Sequence, residues 1–201
     1  SHELISYRLE APTSHADELE KKVRFLSRDE ECRLRSALDG REARIRLERE
    51  SLNVRRVQRG RAPLPEISKF ADHIKPIVLL ALNTGLRRGD IFALEWRHID
   101  LSRKEINKVI RKTRRKKGRS VSLPLSQEAV ELLSVWKTQA HSELVFPSPI
   151  TGDPLDNIDS AWRELLRRAE IRDFRFHDLR HTFATRLVEA GVSIYTVKEL
   201  M

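Results

Sequence analysis

Apolar residues recur at helical spacing along most of the chain, and they alternate with polar ones only in a short central stretch. The first clear element begins at Ser27, because Ser27 and Glu30 three residues later form a capping box. We expect this helix to reach about Leu38 and to stop near Gly40. Arg and Glu alternate in residues 41–57, which predicts a second, solvated helix with ion pairs between neighbouring turns.

The most apolar segment, residues 77–82, predicts a helix at the centre of the core. Pro76 suits the first turn of this helix, and Gly85 suits its C-terminal cap. Residues 59–65, which hold two prolines and a glycine, predict the loop that precedes this region. A second short helix is expected after Gly85, and its apolar residues would be Ile91, Leu94 and Trp96.

Two strands are predicted at residues 104–112 and 119–124, around a turn that contains Gly118. Pro124 closes the second strand, and a short extended stretch is expected at residues 144–146. The remaining segments predict helices, so the expected fold class is α+β, mainly α-helical, with a small antiparallel sheet. The last of these helices begins at Ser193, and the others carry apolar stripes at Ala129, Leu132, Leu133 and Trp136, at Ile158, Ala161, Trp162 and Leu165, and at Phe183, Leu187 and Ala190.

The net charge of the chain indicates what kind of partner this mainly helical domain binds. The 201-residue chain has 39 Lys and Arg against 30 Asp and Glu, a net charge of +9. This excess makes a polyanion the first partner to consider, with nucleic acid ahead of a membrane. No apolar run approaches the roughly 20 residues of a membrane span. The single cysteine, Cys32, excludes an internal disulfide and fits a reducing cytoplasm.

The chain divides at about residue 22. Residues 1–22 are polar and aperiodic, and we interpret them as a linker or the stub of a missing domain, whereas residues 23–201 form one globular domain. Because the chain begins with Ser1 and its only methionine is Met201, we expect a processed or cloned piece of a longer protein.

Two helix-associated segments carry candidate chemistry. Arg87 and Arg88 follow Gly85 and Leu86, and Asp90 lies close enough in sequence to brace the Arg87 guanidinium. Taken alone, this segment is more typical of a helix cap with arginines that complement the helix dipole. His177 and Arg180 are three apart, so on a helix they share a face and could serve one phosphate.

The histidines offer one alternative. His177 and His181 have the i, i+4 spacing of a metal chelate, but no further cluster supplies the remaining ligands, so no metal site is predicted. A His-x-x-Arg pattern by itself is weak evidence in a chain this rich in both residues.

The predicted hairpin is strongly basic and has no acidic residue between positions 108 and 119. A solvated charge run or a localisation signal would explain it, but contact with a nucleic-acid backbone is favoured, because each neutralised phosphate releases counterions. The basic residues are Lys108, Arg111, Lys112, Arg114, Arg115, Lys116, Lys117 and Arg119.

In combination and in this order, the motifs resemble the tyrosine recombinases, also called phage-type integrases. The resemblance runs from about residue 23 to the end, and its most specific part is the His-Asp-Leu-Arg-His-Thr segment. The matching stretches are VRFLSRDEE at 23–31, LNTGLRRGDIFALEWRHIDL at 82–101, KKGRSVSLPLS at 116–126, LVFPS at 144–148 and FRFHDLRHTFATRLVEAGVSIYTVKELM at 174–201.

The resemblance implies the tyrosine-recombinase catalytic fold and site-specific DNA recombination by strand cleavage through a 3′-phosphotyrosine, without a metal or nucleotide cofactor. Arg87 and Arg180 match the two arginines that clamp the scissile phosphate, and His177 matches the proton-handling position. Asp90 and His181 are implied as supporting residues.

The hairpin lysine that protonates the leaving 5′-oxygen is implied to be Lys116, counting back from Pro124 through Gly118. Lys112 and Lys117 remain alternatives for this role. The other basic residues expected to contact DNA are Arg88, Lys112, Arg114, Arg115, Lys117 and Arg119.

The chain departs from the family pattern at the nucleophile. Tyr7 lies in the leading linker, and Tyr195 comes only 15 residues after Arg180, too early for the nucleophilic tyrosine. We therefore expect a catalytic domain truncated before its nucleophile, which binds DNA without cleaving it. The alternative that Tyr195 is an unusual substitute stays open.

The implied partners are double-stranded DNA and, in the full-length protein, three further copies in a tetrameric synapse. A missing N-terminal DNA-binding domain, a cytoplasmic location in a bacterium and a bacterial or phage gene are also implied. Two other functions remain as alternatives: a non-catalytic DNA-binding module on the same fold, and an enzyme like the type IB topoisomerases.

Overall fold

A computed structural model describes residues 23–110 and 119–201. Over these ranges the chain is mainly helical with a small antiparallel sheet, which confirms the predicted fold class. The elements are α1 (Arg28–Gln58), α2 (Ile74–Thr84), α3 (Arg88–Phe92), a 3₁₀ turn (Trp96–His98), β1 (Ile99–Asp100), β2 (Glu105–Ile110), β3 (Arg119–Pro124), α4 (Gln127–Lys137), α5 (Asp159–Arg168), α6 (Asp178–Glu189) and α7 (Ile194–Leu200).

Helix α1 is a single helix of 31 residues, so the expected break near Gly40 is wrong. The predicted start is confirmed: the Ser27 hydroxyl accepts a hydrogen bond from the Glu30 amide at 3.1 Å. The helix continues through Gly40 because contacts hold the next turn: Arg41 pairs with Asp72, and Glu42 accepts from the Ala71 amide at 2.7 Å. These contacts offset the roughly 1 kcal/mol that an interior glycine costs.

The second half of α1 and the segment that follows it form what we call the arm, residues 43–69. Residues 59–65 lie outside helices and strands, as predicted. Segment 61–69 runs back along α1, fixed by side chains that hydrogen-bond to its backbone. These bonds run from Arg46 to the carbonyls of Ile67, Ser68 and Lys69, from Arg49 to Pro65, from Asn53 to both polar groups of Leu64 and from Arg56 to Ala62.

Helix α2 is the centre of the core, as its apolar sequence predicts, and Ile77 and Leu80 are fully buried in it. It packs against α4 and α6 and contacts α1. Lys75 at the start of α2 pairs with Asp39 at 2.6 Å, whereas Asn83 at its end is linked through Glu128 to Arg35, one turn earlier in α1. The end of α2 therefore lies beside the first turns of α1.

The sheet has the order β1-β2-β3, with both pairs antiparallel. Ile106 pairs with Leu123 and both are buried, so this face of the sheet packs on the core. Pro124 ends β3 as predicted. The two-residue strand β1 was not predicted, because so short a segment has no alternation of its own to read.

Two sequence expectations in the helical region need correction. Helix α3 ends at Phe92, so Leu94 lies in a link and Trp96 opens the 3₁₀ turn instead of continuing a helix. In α6 the predicted stripe is not the buried face: Ala190 is exposed, while Leu179 and Thr182 are buried. Among residues 23–110 and 119–201, no helix has the length and apolar character to cross a membrane.

Candidate active site

The end of α2 turns sharply and places Arg87 beside α6. Gly85 caps α2 in the left-handed conformation, with φ of 60°, and Arg87 is extended in front of α3. A β-carbon at Gly85 would overlap the Phe183 ring of α6, so a side chain at this position would separate the two helices. The glycine thus permits the close approach on which the position of Arg87 depends.

Arg180 is buried on the first turns of α6. Its Nη1 donates to the Gly85 carbonyl oxygen, and its Nη2 donates to the Met201 carbonyl oxygen. Burial, together with the positive charge of Arg87, lowers the pKa of Arg180 to about 10, while Asp90 opposes the shift. The guanidinium is still charged at neutral pH. Arg87, Asp90 and Arg180 therefore lie in one electrostatic cluster.

His177 precedes α6 directly and belongs to the same cluster. Its ring centroid is 5.3 Å from that of His181, with the two rings nearly perpendicular. Burial lowers the pKa of His177 first of all, and the charges of His181, Arg180 and Arg87 lower it further, against an opposing effect of Asp178. The imidazole is therefore neutral at pH 7, with one nitrogen able to donate a proton and the other able to accept one.

Buried polar contacts fix the start of α6. Asp178 accepts from the Arg175 amide at 2.7 Å. Thr182 donates to the Asp178 carbonyl oxygen at 2.9 Å and accepts from the Leu26 amide at 3.0 Å. The turn that presents His177 and Arg180 is thus tied to the segment before α1, which limits how far these two side chains can move.

An open groove of about 820 Å³ adjoins the cluster, between α3, α5 and residues 174–177. Its floor is apolar, and its rim is basic. Arg88 on the rim pairs with Asp159 at 2.9 Å. The other lining residues are Arg87, Gly89, Trp162, Arg163, Leu166, Phe174, Arg175, Phe176 and His177. Sequence reasoning missed Arg163 and Arg175, although the position of Arg175 two residues before His177 could have indicated it.

The structure brings together five of the predicted site residues, Arg87, Asp90, His177, Arg180 and His181, and places Arg88 on the groove. The predicted hairpin residues Lys112, Arg114, Arg115, Lys116 and Lys117 lie outside the described residues. Arg119 opens β3 opposite Ile110, and its side chain is likewise outside what the structure describes.

Two further observations bear on the chemistry. Tyr195 is 83% exposed on α7 and is not among the residues that line the groove with Arg87 and His177. Within residues 23–110 and 119–201, no group of three or more His, Cys, Asp or Glu residues could hold a metal ion.

Comparison with known proteins relates this chain to one family. The model of the phage integrase family matches residues 63–201. The chain is 36% identical over 145 residues to the integrase of Salmonella phage P22, which covers 67% of this chain and 37% of that protein. It is 38% identical over 112 residues to the shufflon-specific DNA recombinase of Escherichia coli, which covers 56% of this chain and 27% of that protein.

A solved structure shares the fold. The catalytic domain of bacteriophage HP1 integrase aligns with a TM-score of 0.54 at 19% identity, over 89% of this chain and 80% of that one. By contrast, the chain spans less than two fifths of either sequence relative's length.

Proposed function

This chain belongs to the phage integrase family, and from that premise we propose that it is the part of a site-specific DNA recombinase that binds the scissile phosphate. The observation that carries the proposal is the cluster of Arg87, His177 and Arg180, which two distant parts of the sequence supply. Similarity to a DNA recombinase of Escherichia coli supports DNA as the substrate.

The two arginines clamp the scissile phosphate. Their guanidiniums bind its non-bridging oxygens and stabilise the charge that builds up on them as the phosphorus becomes five-coordinate. Because the Gly85 carbonyl holds Arg180 and Asp90 lies nearby, the donors are oriented before DNA arrives. Preorganised donors of this kind contribute about 10²–10³ each in rate.

Proton transfer completes the reaction. A tyrosine oxygen attacks phosphorus and forms the 3′-phosphotyrosine bond, while the bond from phosphorus to the 5′-oxygen breaks. The neutral imidazole of His177 accepts the tyrosine proton, and Lys116, or in its place Lys112 or Lys117, protonates the leaving 5′-oxygen. His181 supports His177 from the next turn. No metal or nucleotide cofactor enters this scheme.

The partner we propose is double-stranded DNA, with Arg88 and the basic hairpin on its backbone and four full-length copies in the synapse. The reaction takes place in the bacterial cytoplasm. We place the nucleophile in a longer form of the protein, since Tyr195 is exposed on α7 and does not line the groove with Arg87 and His177.

A covalent-adduct assay tests the scheme. The 201-residue chain and a longer form that supplies a further tyrosine are incubated with a nicked duplex carrying the recombination site and run on denaturing gels. We expect an adduct with the longer form only, and an Arg180→Lys change in it to slow adduct formation about 100-fold.

Several results would contradict parts of the scheme. An adduct with the 201-residue chain that Tyr195→Phe abolishes would overturn the placement of the nucleophile. Unchanged adduct formation by Arg180→Ala would overturn the role of the cluster. Absence of DNA binding by both forms would overturn the function.

A further inference from the structure

The arm carries much of the positive charge of the chain at a place remote from the active site. Its residues, 43–69, include seven arginines and one lysine against three glutamates, a net charge of +5 in a chain whose total is +9. No acidic residue occurs between positions 51 and 65. We call Arg55, Arg56, Arg59 and Arg61, at the end of this helix, the arm tip.

The arginines of the arm tip are available to a partner. Arg55, Arg59 and Arg61 are exposed, and Arg56 is half-buried. Arg55 donates through Nε to the Ser51 carbonyl and Arg56 through Nε to the Ala62 carbonyl, so their terminal nitrogens remain open toward solvent. Among the described residues, no carboxylate pairs with any of the four. A single basic residue would suffice to complement the helix dipole, so the dipole does not explain four.

The arm holds its tip rigidly. Arg46, Arg49 and Asn53 fasten segment 61–69 along α1, and Arg61 donates its amide to the Arg56 carbonyl at 2.9 Å. Because these contacts order the backbone in advance, a ligand would meet the arginines without a large additional loss of conformational entropy. The arm is therefore preformed for binding.

The arm tip cannot reach the phosphate at the active site. Arg87 follows α2, whose end lies near Arg35, and from Arg35 to the end of α1 the helix rises about 35 Å. The start of α2 contacts Asp39, whereas its end is linked to the earlier Arg35, so the later part of α1, which includes the arm, extends away from the end of α2 that carries the site. A distance of about 35 Å equals roughly ten base pairs of a duplex.

From these observations we propose that the arm tip is a second DNA-binding surface, which contacts phosphates of a DNA segment separate from the one at the active site. The proposal rests on the proposed function only in taking DNA as the polyanion. Pairing of two arms is disfavoured because each carries +5. Arg55 and the cap residue Arg59 are four residues apart at the end of α1, a spacing that places them on one side of the helix and suits consecutive phosphates of one strand.

The test compares salt dependence of binding on two duplexes. The triple variant Arg55→Gln, Arg59→Gln, Arg61→Gln removes the exposed charges of the arm tip. The control triple Arg97→Gln, Arg103→Gln, Arg168→Gln removes the same charge from arginines that are already paired with carboxylates. Fluorescence anisotropy gives the affinity of each protein for two duplexes: one of about 8 base pairs, about 27 Å long and so too short to reach from the site to the arm tip, and one of about 60 base pairs.

We expect the arm-tip variant to lower the log–log salt slope on the long duplex by about 2–3, at roughly 0.9 per phosphate contact, and to leave the short duplex nearly unchanged. The control should alter the slope by less than one.

Energy transfer between two differently labelled short duplexes shows whether the separate segment is a second DNA molecule. If no energy transfer is seen but the arm-tip variant still lowers the salt slope on the long duplex, the segment is a distant part of the same DNA.

The outcomes separate the two proposals. If the wild-type chain binds both duplexes and the arm-tip variant retains the full slope, or if the control loses as much, the arm-tip proposal is wrong and the proposed function stands. If the wild-type chain binds neither duplex, both are wrong. An acidic protein that binds the arm tip while DNA does not would also overturn the DNA assignment.

Discussion

A β-carbon on Gly85 would overlap the ring of Phe183, lying 3.1 Å from Cγ and closer still to Cδ1. The same glycine has φ of 60° and offers its carbonyl oxygen to Arg180. One residue thus sets the backbone turn before Arg87, the spacing between α2 and α6, and a hydrogen bond of the buried arginine.

We expect Gly85→Ala to reduce the free energy of unfolding by about 2–4 kcal/mol, because the left-handed backbone and the overlap with Phe183 both penalise a methyl group. Chemical denaturation measures this loss. Under the proposed function, the displaced Arg87 should also weaken DNA binding by the folded variant. A fully stable Gly85→Ala protein would show that the close approach of α2 and α6 is not required.

The opposite change in stability is expected at Gly40. This glycine is exposed in the interior of α1, and a β-carbon there would have no atom within 4 Å. Gly40→Ala should raise the free energy of unfolding by about 1 kcal/mol, because alanine has the higher helix propensity. The same denaturation experiment tests it and supplies the matched glycine control for Gly85→Ala. A loss of stability would contradict a continuous helix at this position.

Acid should weaken the fold through Glu30. The pKa of Glu30 is lowered from 4.5 to about 2, mainly by the hydrogen bond from the Arg24 side chain and further by hydrogen bonds with the backbone and side chain of Ser27. Because the folded pKa lies below the unfolded one, this stabilisation is complete above about pH 4.5 and is lost as the pH falls toward 2. Glu30→Gln should be less stable than wild type at neutral pH and equal to it near pH 2.

Denaturation midpoints across this pH range measure the effect, and the exposed Glu66→Gln serves as the control. If Glu30→Gln keeps the wild-type pH dependence between pH 4.5 and 2, Glu30 is not the group responsible.

The titration of His177 tests the electrostatics of the candidate site. Burial and the charges of His181, Arg180 and Arg87 lower its pKa below the usual 6.5, so an NMR titration should find its midpoint on the acid side of that value. His181→Asn removes the largest of the like charges and should shift the midpoint upward. The exposed His141→Asn should leave it unchanged. A midpoint above 6.5 in the wild type would contradict the lowered pKa of His177.

Local sequence predicted the elements whose causes are local. The apolar run of α2, the left-handed glycine at its end and the alternation of β2 and β3 each lie within about a dozen residues. The continuity of α1 could not be predicted, because the contacts that carry it past Gly40 come from Ala71 and Asp72, some 30 residues later.

Some residues of the candidate site could likewise be predicted from local sequence, and others could not. Its residue types were recognisable from the spacing of His177 and Arg180 and from the arginines after Gly85. The groove was not, because Asp159, Arg163 and Arg175 come from α5 and the segment before α6 and meet Arg88 only in three dimensions. The hairpin assignment of Lys116 stays a prediction.

The hydrogen bond from Arg180 to the Gly85 carbonyl joins residues 95 positions apart. On the ribosome, the chain up to α6 must therefore have emerged before the two arginines can meet. An incomplete chain has the basic segments but not the paired guanidiniums, so under the proposed function it attracts DNA without holding a phosphate. The long sequence separation therefore delays assembly of the candidate site until α6 has been synthesised.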